Sequence, residues 1–165
     1  MKKTLMLFIV LALAAVPCMA QTYDWSQPGS TGNLHQSAVF NASTTGATLK
    51  FRSTSTTSFT ARYNVTNTVG SGTTLTPGWS NLTAALTDDS VLGSVTITLY
   101  ELDKCSGTTT QICQITSTDD PAAKCETCNF SSSTFDFANN SYWIEAVFAR
   151  SSTAANAQLH SVAID

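Results

Sequence analysis

The chain has 165 residues, of which 12% are charged and 42% hydrophobic, with a formal net charge of −3. That balance excludes collagen, coiled coil and intrinsic disorder, and an acidic chain with few, dispersed cations excludes the basic footprint of a nucleic-acid binder. Polarity comes instead from hydroxyls: beyond Ala20 there are 20 Ser and 26 Thr, about a third of the remaining residues.

Residues Met1 to Ala20 combine a cationic start (Lys2, Lys3) of bacterial type, an apolar run from Leu5 to Val16, Pro17 and a small Ala20 before Gln21. This is the pattern of a cleaved export signal, so the expected mature chain is one domain over 21–165, secreted, surface-held or periplasmic. Pro17 before Cys18 argues against a lipid anchor at that cysteine. The apolar run is too short for a comfortable membrane span, and no later stretch approaches the ~18 consecutive apolar residues one requires. No membrane insertion is expected.

An extended N-terminal arm is expected over 21–34, where Pro28, Gly29, Gly32 and Asn33 favour turns. Two short segments follow around Asn41 to Gly46. Phe59, Ala61, Tyr63 and Val65 then alternate with Thr60, Arg62 and Asn64, the period of a half-buried strand. The glycines and Pro77 of Val69 to Gly78 predict a loop. Alternation resumes at Leu82, Ala84 and Leu86, and is clearest where Val95, Ile97 and Leu99 oppose Thr96, Thr98 and Tyr100. Gln111 to Ser117 alternates similarly. Asp119-Asp120-Pro121 predicts a break, Phe130 to Phe137 an extended segment and Asn139-Asn140 a turn. Tyr142, Ile144, Ala146 and Phe148 form the inner side of a long strand with Trp143 and Glu145 opposite, and Gln158 to Ile164 ends the series. Eight or nine short strands with no helical period predict an all-β antiparallel sandwich, a jelly roll or another Greek-key type.

Cys105, Cys113, Cys125 and Cys128 lie within 24 residues. In an oxidising compartment they predict two disulfides. A hairpin turn centred near Thr109 would bring Cys105 to Cys113, leaving Cys125 to close a small ring with Cys128. Only the second pair has knuckle spacing for zinc, and the C-x-x-C lies outside the helix start that a redox thiol needs.

No nucleophile elbow, zincin, phosphate-loop or dinucleotide motif is present. His35 and His160 are the two imidazoles available as bases, and the acid pairs Asp88-Asp89 and Asp119-Asp120 read as turns. Asp119, Asp120 and Glu126 form the best calcium candidate, although no cofactor is expected. The sequons at Asn41, Asn64, Asn81 and Asn129 are uninformative in so Ser/Thr-rich a chain. For recognition, Trp79 after Pro77-Gly78 and Trp143 beside Glu145 are the candidate ligand-stacking side chains. The expected function is therefore a non-enzymatic extracellular protein in adhesion, binding or structural assembly, with glycan binding or self-association as its interactions. A carbohydrate-binding module is the second reading and a small secreted hydrolase, using a histidine or an acid pair, the third.

Overall fold

A computed structural model describes residues 25–67 and 77–165. The expected export signal, Cys18 and most of the Val69 to Gly78 loop lie outside the described residues. Among these, eleven strands form two antiparallel sheets packed face to face, an all-β sandwich.

The first sheet runs β3 (Ala42–Thr45), β4 (Thr48–Phe51), β11 (Gln158–Ile164), β6 (Asn81–Asp88), β9 (Asp120–Asn129). One side of β11 is shared: its start pairs with β4, and its end with β1 (Trp25–Pro28). The second sheet runs β2 (Asn33–Leu34), β5 (Phe59–Val65), β10 (Asn140–Arg150), β7 (Gly93–Asp103), β8 (Thr109–Thr116). The described residues of the expected extended arm enter both sheets, through β1 and β2.

Where alternation is strict in sequence, register is strict in space. Phe59, Ala61, Tyr63 and Val65 of β5, and Tyr142, Ile144, Ala146 and Phe148 of β10, are all buried and directly paired across the ladder. A one-residue slip would turn both sets into water, so the apolar pattern fixes the pairing. Two aromatic clusters close the ends of the core. Phe51, Phe59 and Phe148 meet at ring centroids 4.4–6.1 Å apart at one end. Trp79, Phe130, Phe135, Phe137 and Tyr142 fill the other.

Two glycines are dictated by geometry. Gly46 (φ +60°) turns the chain between the paired Thr45 and Thr48, a conformation disfavoured for residues with a Cβ. A Cβ on Gly29 would collide with the Leu159 carbonyl, while the Gly29 carbonyl accepts the buried Tyr63 hydroxyl at 2.6 Å. Burial without a charged partner pushes the Tyr63 phenol well up.

Several expectations are corrected. The chain does break after β8, but residues 120–129, read as a break and loop, form strand β9 at a sheet edge, where Pro121 near the strand's start is tolerated. The Phe130 to Phe137 segment is an irregular plug that turns at Ser131–Thr134 and sends fully buried Phe135 into the core. The cysteine pairing also differs: Cys113 of β8 bonds to Cys128 of β9, with Cα atoms 6.1 Å apart, and Cys105 is an exposed free thiol. The β7–β8 turn is centred near Ser106-Gly107, earlier than expected. Thr109 is already on the strand opposite Leu102, and Cys113 faces Leu99 well down the ladder. Asp103 shapes that turn by accepting the Cys105 and Ser106 N–H groups at 2.8 Å each, which hold its carboxyl below the usual range. Cys125 and Cys128 cannot close a ring because three residues of extended strand separate their Cα atoms by about 10 Å. Cys125 is not a free thiol either.

Candidate functional site

The outer side of the second sheet carries the side chains best suited to recognition. Strand alternation directs Arg62 and Asn64 of β5, Trp143 and Glu145 of β10, and Tyr100 and the buried Thr98 of β7 to this side. Register then assembles them into two adjacent rows, Asn64–Trp143–Tyr100 and Arg62–Glu145–Thr98. In the first row the Tyr100 and Trp143 rings stack, with centroids 5.2 Å apart and planes 20° from parallel. The Trp143 indole N–H is shut off from water and unpaired. Whatever part of that ring meets a ligand does so as carbon, by stacking or edge contact.

In the second row Arg62 Nε donates to Glu145 Oε2 at 2.8 Å. Beyond it lies an open hollow of about 400 Å³, lined by Asn33, Leu34, His35, Thr60, Arg62 and Glu145. Gln114 of β8 extends the row by donating to Thr98 at 3.1 Å. The aromatic pair beside paired charges, amides and hydroxyls combines a face for stacking with groups for hydrogen bonding.

Trp143 therefore lies where alternation places it. Trp79 does not: it is 1% exposed, packed edge-on against Phe135 at 5.0 Å, with its indole N–H unpaired. The segment after Pro77-Gly78 folds over the end of the core and supplies part of it. The partner that Trp143 does have, Tyr100, is separated from it by 43 positions in the chain and is brought alongside only by the β7–β10 ladder.

The other candidates are dispersed. His35 Nδ1 lies 2.9 Å from the Ser37 hydroxyl. His160, at the bulge of β11, is held between the Thr48 and Thr87 hydroxyls at 3.0 and 2.8 Å, and burial pushes its imidazole down. Both rings thus engage hydroxyls, whereas a catalytic base oriented by an acid would engage a carboxylate. Asp120 accepts the Ala122 N–H, and Glu126 accepts Thr118 Oγ1 and lies 3.5 Å from Lys124 Nζ. Among the described residues no group of three acids, histidines or cysteines is arranged to hold a metal ion, so Asp119, Asp120 and Glu126 are not brought together as a calcium site.

Asp88, read in sequence as a turn acid, is instead buried at the end of β6. Ser117 Oγ donates to its Oδ2 at 2.6 Å, tying the two sheets together, and its Oδ1 is unpaired. Burial is the main cause pushing this carboxyl up, with Asp119 and Asp89 adding to it. No helix among the described residues is long and apolar enough to cross a membrane. The sequence matches no protein-family model and none of the curated proteins with which it was compared.

Proposed function

We propose that the chain is an exported, non-enzymatic recognition protein, acting in adhesion or extracellular structure, that binds glycans on the outer side of its second sheet. One observation carries this reading: the stacked Tyr100–Trp143 pair, partly exposed, stands beside the Arg62–Glu145 pair and its hollow. The Cys113–Cys128 disulfide is compatible with an oxidising compartment, in keeping with export. The test is a glycan array probed with the purified protein and with Trp143→Ala and Tyr100→Ala variants. Retained folding with lost binding supports the assignment. Binding to no glycan, or binding indifferent to both variants, overturns it.

A structural-subunit role is the second reading, favoured by Phe40 and Val91, which are 73% and 80% exposed. It requires self-association at native concentrations. Sedimentation showing only monomer across a wide concentration range removes it.

A further inference from the structure

The sequence disperses its cations, but the fold gathers three of the eight Lys and Arg residues around one hollow of about 440 Å³. Lys50 and Arg52 alternate with the core-facing Leu49 and Phe51, so both project outward at the end of β4. Ser43 and Thr45 of the neighbouring β3 and Asn156 of the β10–β11 loop share the lining with Phe51, Ser53, Thr153 and Ala155.

Arg150 forms the floor. Its guanidinium donates to four main-chain carbonyls, those of Ser55, Thr153, Ala155 and Arg52, at 2.6–3.3 Å. These acceptors satisfy its hydrogen bonds while carrying no formal charge, so the buried cation has no counter-ion. Neither do its two companions. The ion pairs among the described residues are Arg62–Glu145 and Lys124–Glu126, and none of the three cations of the hollow takes part in one. Asp89 accepts the Asn156 N–H at 2.8 Å.

Unpaired cations in a concave, hydroxyl-lined site concentrate positive potential locally, even on an acidic protein. We propose that this hollow binds a single oxyanion group, a carboxylate, sulfate or phosphate. Lys50 and Arg52 are its charged contacts, Ser43, Thr45 and Asn156 its neutral partners, and Arg150 the fixed charge beneath. The net negative charge of the chain suits one anionic group and opposes a polyanion. The site lies on the first sheet and does not depend on the glycan reading of the second.

The test is an amide NMR titration of the full chain with inorganic phosphate, sulfate and glucuronate in turn, at ionic strength held constant with chloride. Saturable shifts confined to residues 43–53 and 153–156 are expected with at least one probe, and the strongest probe identifies the source of the anion. A Lys50→Gln, Arg52→Gln double variant should weaken that binding roughly tenfold or more, as loss of charge-assisted hydrogen bonds requires. Lys50→Arg should retain it, and Trp143→Ala should leave it unchanged. No saturable shift with any probe, or equal affinity in the double variant, overturns the proposal.

Discussion

Replacing Arg150 with Met keeps the aliphatic stem and removes the guanidinium, which isolates the carbonyl-binding role of this side chain. Arg150 is 9% exposed and lies over the Phe51 ring, 4.4 Å from its centroid. Its four bonds tie the 52–58 connection to the 151–157 connection across the end of the sandwich. Hydrogen bonds to a charged group are each worth about 1.5–3 kcal/mol, so the gross loss is about 6–12 kcal/mol. Both connections lie at the surface, and their carbonyls regain water once the loops loosen. The net cost should then fall to about 4 kcal/mol, as about two of the carbonyls stay buried without a partner at about 1–3 kcal/mol each. With a urea m-value of about 2 kcal/mol per molar, the unfolding midpoint should drop by about 2 M. Hydrogen exchange should show the loss first at residues 52–58 and 151–157, before the β7–β10 ladder. A change below about 1 kcal/mol, with exchange in those loops unaltered, would refute the reasoning and reduce Arg150 to an ordinary surface cation.

Removing the disulfide with Cys113→Ala and Cys128→Ala should cost about 3 kcal/mol in the chain-entropy account of a loop of this size, read from denaturant midpoints against the oxidised wild type. Non-reducing peptide mapping should recover the 113–128 linkage and leave Cys105 alkylatable. Truncating Trp79 to Ala should cost about 3–5 kcal/mol by emptying a fully buried site, with glycan binding intact in whatever fraction remains folded. Because Asp88 binds its proton more tightly when folded, its contribution to stability is present below the unfolded pKa and lost as pH rises through the elevated folded one. Asp88→Asn should therefore flatten part of the decline in urea midpoint as pH rises above the ordinary carboxylate range. A decline equal in the variant and the wild type would assign it elsewhere.

Strands buried on one side were legible because burial writes a two-residue period into them, as in β5, β7 and β10. β9 was not. It lies at a sheet edge with Ala122, Ala123, Lys124 and Thr127 largely exposed, so no apolar alternation marks it. The aromatics of 130–137 misled in the opposite sense: they pack the end of the core from an irregular backbone, and composition alone suggests a strand. Trp143 was readable from its position opposite Ile144, whereas its stack on Tyr100 and the pairing of Glu145 with Arg62 arise from register between distant strands. The gathering of Lys50, Arg52 and Arg150 has the same origin. A local pattern specifies which way a side chain points, and only sheet topology specifies its neighbours.

The bond between Cys113 and Cys128 joins edge strands of opposite sheets, 15 positions apart. If the molecule is drawn out by its two ends, the residues between those cysteines cannot straighten, because the tension passes through the sulfur bridge. At up to about 3.6 Å per residue, roughly 50 Å of contour stays hidden until the bridge is reduced. Single-molecule extension of a Cys113→Ala, Cys128→Ala variant should therefore exceed that of the oxidised wild type by about that length. For a protein anchored on one side and loaded on the other, this sets a redox-dependent limit to how far it can stretch.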